Sequence, residues 1–237
     1  MISYFTRNKG KRELKICEDS LTASVFDCLK YLPTSMFWEI LQSSLYQKKL
    51  PIVPGQLFDI IFWDKWNASG TTNSKYVEPD VLLRFTEFDV IIEAKRYDKN
   101  QQYTQQMENQ IQGYYNEFAE DDKDLFYIML GGLHSTKNQD NYKLSIKLES
   151  GLPLVKDVII CKTDWTKILT VVDNYSTKIK KTNLPTTDSY SRILDDCISA
   201  FALHQYYKKE WLSEIKYSLN INEGSLKNYF NYSLKIK

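Results

Sequence analysis

Apolar residues change period several times along the chain, and each change marks an element. From Glu18, the residues Leu21, Val25, Cys28, Leu29 and Leu32 recur at one helical face. Pro33 ends that helix, and Thr34 or Ser35 caps a second one through Phe37, Ile40, Leu41 and Leu45. Residues 1–16 are basic and aperiodic, and read as an arm or irregular segment. Gln56–Trp63, bounded by Pro54-Gly55, reads as a strand, and Asp64–Lys75 as an exposed polar loop. Val81–Phe85 and Phe88–Ile92 are two strand-like runs separated by Thr86-Glu87, the pattern of a β-hairpin. A helix then starts at Asp98–Asn100 and runs to about Glu120, with Met107, Ile111, Tyr114, Tyr115 and Phe118 as its apolar stripe.

Leu125–Leu130 is uninterrupted and apolar, as in a strand buried on both faces, and Gly131-Gly132 ends it. Asn138–Leu148 reads as a helix or a surface excursion, Val158–Cys161 as a strand and Trp165–Val172 as a short helix. Residues 174–189 read as a polar loop or hinge. Tyr190, Leu194, Cys197, Ile198, Phe201 and Ala202 then form a helix ending near Trp211. The last residues alternate Asn, Tyr, Phe and Lys, and suggest an edge hairpin or a partner surface. The order helix, three strands, crossover helix, strand gives an α/β fold with a mixed central sheet flanked by helices and a C-terminal helical extension. Residues 1–173 form the core with its N-terminal helices, and 174–237 pack on it within what reads as one domain.

Chemistry concentrates at the open end of the hairpin. A turn centred between Thr86 and Glu87 sets Asp80 opposite Glu93, and strand alternation puts Lys95 on the same face. Two ionised carboxylates about 5 Å apart repel by roughly 3 kcal/mol at an effective dielectric of 20. A divalent cation between them relieves that cost. Ligands that are all oxygen suit Mg²⁺, which keeps several waters and uses one or two carboxylates with substrate phosphate. The lysine can then orient or help activate the attacking water. The plain alternative is a surface hairpin whose Asp, Glu and Lys form ordinary ion pairs.

Composition narrows the classes. The 237 residues carry 31 Lys and Arg against 30 Asp and Glu, a net charge of +1. A protein gripping DNA strongly by itself is usually more basic, so weak binding by the lone chain, or help from a homodimer or a regulatory subunit, is expected. No apolar run approaches a membrane span and Met1–Leu14 has no apolar signal core, so neither secretion nor membrane insertion is expected. Cys17, Cys28, Cys161 and Cys197 lack metal-site spacing and read as reduced thiols of a cytoplasmic protein. The two histidines, His134 and His204, support neither a zinc pair nor a catalytic triad and read as structural.

Pro79-Asp80 with Glu93-Ala94-Lys95 resembles the signature of the PD-(D/E)XK nuclease superfamily. The resemblance covers about residues 18–130 and implies an αβββαβ restriction-endonuclease-like core that cleaves phosphodiesters with Mg²⁺, Mn²⁺ being able to substitute. It implies metal binding by Asp80, Glu93 and the Ala94 carbonyl, with Lys95 serving the attacking water. Glu18, on the core-facing side of the first helix, would contact metal through water. Gln110 and Tyr114 are four apart on one helix face and resemble the Gln-x-x-x-Tyr element of one branch, where they hold substrate phosphate. The expected function is DNA cleavage in anti-phage defence or restriction. The alternatives are DNA repair, an RNA-cleaving enzyme, or a non-catalytic module binding nucleic acid or a partner protein on the same scaffold.

Overall fold

The computed structural model describes residues 2–6, 13–96, 100–137, 141–147, 153–182 and 187–208. Met1–Tyr207 form one compact unit, and Lys208–Lys237 a second, of which only Lys208 is described. The helices expected from Glu18 and Thr34 are present as α2 (Glu18–Leu29) and α3 (Thr34–Ser44), after a short α1 (Ile2–Thr6). The opening segment is therefore not wholly irregular. Tyr4 is buried, and the Ser3 hydroxyl and amide both donate to Asp27 of α2, at 2.6 and 2.8 Å.

Among the described residues the central sheet has six strands. In chain order they are β1 (Leu57–Phe62), β4 (Val81–Phe85), β5 (Phe88–Ala94), β6 (Asp124–Leu130), β7 (Tyr142–Lys147) and β8 (Pro153–Thr163). Their spatial order is β1-β4-β5-β6-β8-β7. β1, β4 and β5 are antiparallel, β6 runs parallel to both β5 and β8, and β7 closes the far edge antiparallel to β8. The sheet is therefore mixed and the fold α/β, as the element order predicts. Val81 pairs with Ile92 and Leu83 with Val90, which is the register of a turn centred on Thr86-Glu87.

Alternation along β4 and β5 divides the interior into two cores. Val81, Leu83, Phe85, Val90, Ile92 and Ala94 face α2, α3 and two C-terminal helices, α5 (Trp165–Thr182) and α6 (Asp188–Leu203). Leu82, Ile91, Tyr127 and Met129 face the other way, against Met107, Ile111 and Tyr114 of α4 (Thr104–Phe118). Asp80, Glu93 and Lys95 belong by alternation to the α4 side.

Five elements differ from the sequence expectation. α4 begins at Thr104 because Asn100 is left-handed (φ 56°), and Gln101 and Gln102 turn their amides onto the Gly132 carbonyl; Asp98 lies outside the described residues. Within Asp64–Lys75 the chain is not simply an exposed loop: Trp66–Asn67 (β2) pairs with Tyr76–Val77 (β3), and Trp66 is buried against Tyr114 and Phe118. Tyr142–Lys147 is a strand, neither helix nor excursion. α5 continues to Thr182 through much of the expected hinge, because Ile168, Leu169, Val172, Ser176 and Ile179 keep one buried face while the lysines stay outside. The last expected helix ends at Leu203, short of Trp211; Trp211 and the suggested terminal hairpin lie outside the described residues.

Candidate functional site

β4 stops at Val81 for a reason contained in Pro79-Asp80. Continuing the register would set Pro79 opposite Ala94, and proline has no N–H to give to the Ala94 carbonyl. The Ala94 amide instead donates to Asp80 Oδ2 at 2.8 Å, and the Trp63 indole donates to Asp80 Oδ1 at 3.1 Å. The Asp80 carboxylate is thereby clamped at the end of the hairpin beside a backbone carbonyl with no strand partner in register.

Glu93 is the most heavily bonded carboxylate of the site. Lys95 Nζ and Gln106 Nε2 both donate to its Oε1, the latter at 2.6 Å, and Gln110 Nε2 donates to its Oε2 at 2.6 Å. The Tyr127 hydroxyl, fully buried, donates to Gln110 Oε1 at 2.6 Å. That bond fixes the orientation of the Gln110 amide so that its nitrogen must face Glu93. Gln102 reaches under the strand end and donates to the carbonyls of Glu93 and Gly131, at 3.0 and 3.1 Å. His134 Nε2 lies 2.9 Å from the Gln102 carbonyl, and His204 sits between Ser20 Oγ and the Ala200 carbonyl, so both contact protein polar groups as structural histidines do.

Glu18 comes to the same place from the opposite layer. Its Oε2 accepts the Arg96 amide at 2.8 Å, and its Oε1 lies 3.5 Å from Lys95 Nζ. Lys95 thus lies between two carboxylates. Its stem is set by Gly131-Gly132: a Cβ on Gly131 would lie 2.2 Å from the Lys95 carbonyl oxygen, and one on Gly132 2.7 Å from the Lys95 Cβ. Those glycines therefore do more than end β6.

The electrostatics follow from burial. Asp80 and Glu93 are 8% and 2% exposed. Burial, and then the charge of Glu93, push the Asp80 carboxyl well above the usual aspartate range. Glu18 is also raised, by burial against the opposing pull of Lys95. Burial disfavours the charge on Lys95, but Glu93 outweighs it through charge and hydrogen bond, aided by Asp80 and Glu18. The ammonium is therefore held above the ordinary lysine value. As it stands here Lys95 donates to Glu93 and brings a positive charge to the site.

The donors present suit a hard cation. Two carboxylates that repel each other, with the Ala94 backbone carbonyl next to Glu93, match the few protein ligands Mg²⁺ takes. Among the described residues no cluster of three or more His, Cys, Asp or Glu side chains is arranged to share one ion. Asp80, Glu93 and the Ala94 carbonyl would therefore hold the ion with water and substrate completing its shell, and Glu18, already bonded to Arg96, would act from further out.

Tyr114 does not join this group. Its hydroxyl donates at 3.1 Å to Asp89 Oδ2, one helical turn of α4 away from Gln110. Asp89 is fully buried and also takes Arg84 Nε at 3.2 Å and Lys123 Nζ at 3.3 Å. Tyr114, itself 1% exposed, thus braces a buried ion cluster under α4 instead of presenting a hydroxyl to substrate. Gln102, Gln106, Tyr127 and Trp63 were not singled out in the sequence. A signal existed for the first two: Gln102, Gln106 and Gln110 recur every four residues on a face that packing alone would make apolar.

The chain is 29% identical over 211 residues to the uncharacterized protein PM0110 of Pasteurella multocida (strain Pm70), a match covering 86% of this chain and 76% of that protein. No protein-family model and no solved structure matches the chain.

Proposed function

We propose that the chain is a Mg²⁺-dependent DNA nuclease of the PD-(D/E)XK kind. One observation carries the reading: the hairpin register and the αβββαβ order bring Asp80, Glu93 and Lys95 together at a buried strand end, where the carboxylates strain against each other. Two like charges buried side by side cost stability, and a bound cation would relieve that cost. A bound Mg²⁺ or Mn²⁺ would polarise a phosphoryl oxygen and make water at the site more acidic. Asp80, clamped by Trp63 and Ala94, and Glu93, oriented by Gln106 and Gln110, set where the scissile phosphate lies. Lys95, held charged, orients the attacking water and opposes charge building on the phosphate. Gln110 serves Glu93 here, and Tyr114 serves Asp89, so neither is needed to explain phosphate binding. The near-neutral charge favours an effector controlled by another subunit or by dimerisation, as in restriction or anti-phage defence, with repair as the alternative.

A non-catalytic binding module on the same scaffold is the second reading. The observation favouring it is that three side-chain donors already satisfy Glu93. Incubation of the purified protein with linear, circular and single-stranded DNA and with RNA, in Mg²⁺ or in EDTA, decides between them. The nuclease reading expects cleavage only with metal, reduced at least about a hundredfold by each of Asp80→Asn, Glu93→Gln and Lys95→Ala in folded protein. Variants that cut at wild-type rates would remove the site assignment, and tight metal-independent binding with no cutting would favour the module.

A further inference from the structure

A cleft of about 360 Å³ opens beside the carboxylates, lined by Asn73, Val77, Glu78, Gln105, Gln106 and Gln110. Gln106 and Gln110 belong to both places, since each lines the cleft and donates to Glu93. Whatever fills the cleft therefore lies against the metal-binding carboxylates.

Its outer wall is the segment between β1 and β4, and that wall is fastened to α4. Asn109 Nδ2 donates to Thr72 Oγ1 at 2.8 Å and to Asn73 Oδ1 at 3.1 Å, while its own Oδ1 accepts the Thr72 amide at 3.1 Å. Asn116 donates to the carbonyls of Asn67 and Ser69, at 2.7 and 2.8 Å. Gly113 lets the wall approach: a Cβ there would stand 3.2 Å from the Val77 Cβ. The cleft is built before any ligand arrives, which lowers the cost of binding.

Its chemistry selects the occupant. Among the described residues the lining has no lysine or arginine, and its charged member, Glu78, has the wrong sign for phosphate. Nor do the described lining residues include an aromatic ring. Gln110 is committed to Glu93 and Tyr127 and Asn73 to Asn109 and Tyr76, which leaves the amides of Gln105 and Gln106, groups that donate and accept at once, beside the Glu78 carboxylate. That is the complement of a base edge. The volume sits at the low end of ordinary ligand clefts, enough for one nucleotide-sized group. A paired base, stacked in a duplex, cannot enter such a recess.

We propose that this cleft receives one unpaired nucleobase of the strand being cut and reads its edge through Gln105, Gln106 and Glu78; the proposal rests on the nuclease reading above. Substrates with unpaired bases at the cut, such as single strands, frayed ends and flaps, are then preferred over continuous duplex. The carboxylate favours bases that offer an amino group over thymine or uracil.

The test is cleavage of randomised single-stranded and duplex DNA libraries, and of a single-stranded RNA library, in Mg²⁺, with the ends sequenced. Wild type is compared with Gln105→Ala and Glu78→Gln, and melts confirm that both variants are folded. The expected result is faster cutting of single strands, with a base bias at one position beside the cut that falls about fivefold or more in one or both variants, as for the loss of one base-edge contact. Cutting without base bias, a bias unchanged in both variants, or a preference for continuous duplex would overturn the cleft assignment while leaving the nuclease standing. No cutting of any library by wild type would overturn both.

Discussion

At the residue scale, Asp80 makes the sharpest prediction about pH. Its carboxyl is raised by burial and by Glu93, so the folded apo protein holds a proton that the unfolded chain gives up near the ordinary aspartate value. The corresponding stability is fully present below that value and is lost as pH rises through the raised one. Urea unfolding in EDTA at stepped pH should show wild type losing stability over that window, with Asp80→Asn losing less of it. Parallel curves for the two proteins would contradict the assignment.

Gln110 and Tyr114 separate in the same way. Tyr114→Phe removes one of the bonds to buried Asp89 and should cost about 1–3 kcal/mol of stability with cleavage per folded molecule little changed. Gln110→Ala removes a donor from Glu93 and orphans the Tyr127 hydroxyl, so it should lower cleavage as well as stability. The reverse pattern would return Tyr114 to the substrate. The sequence made Asp80, Glu93 and Lys95 legible because a hairpin register follows from a turn position alone. It did not separate Gln110 from Tyr114, because helical spacing says that two residues share a face but not which strand residues lie beneath each. Trp63 and Tyr127 were hidden for a plainer reason: a polar tip on a buried ring leaves no mark in an apolar run.

At the scale of elements, Gly131 ties the end of β6 to the site. It has φ +69°, and an added Cβ would collide with the Lys95 carbonyl, which accepts the Trp165 indole at 2.9 Å. Gly131→Ala should cost about 1–3 kcal/mol for the backbone strain alone and displace Lys95, so cleavage should fall even at temperatures where the variant is folded. Full activity in a folded Gly131→Ala protein would mean that Lys95 does not depend on this contact. Trp66→Ala should release the wall between β1 and β4, at about 3–5 kcal/mol for the loss of a buried tryptophan; thermal melts and proteolysis within residues 66–77 read both effects. Elements with a long apolar period, such as α2, α4 and β6, were legible in the sequence. The short β2–β3 pair was not, because two-residue strands carry no period. The second half of α5 was missed because its lysines outnumber the few residues, Ser176 and Ile179, that keep its face buried.

At the scale of the molecule, the mixed sheet separates two cores, and the site lies where β4 and β5 end, reached by α2 from one layer and α4 from the other. Among the described residues no helix is long and apolar enough to cross a membrane. What the account requires of the whole molecule is that its stability respond to a divalent ion through two named carboxylates. A site with a Kd of about 1 mM adds roughly 1.4 kcal/mol at about 10 mM Mg²⁺, which for a chain of this size is a rise in Tm of about 3–6 °C. Thermal melts of wild type, Asp80→Asn and Glu93→Gln, each in EDTA and in Mg²⁺ or Mn²⁺, need no knowledge of the substrate. The account predicts a metal-dependent rise in wild type that is largely lost in both variants, with the variants in EDTA no less stable than wild type. The same rise in all three proteins, or none in wild type, would contradict it.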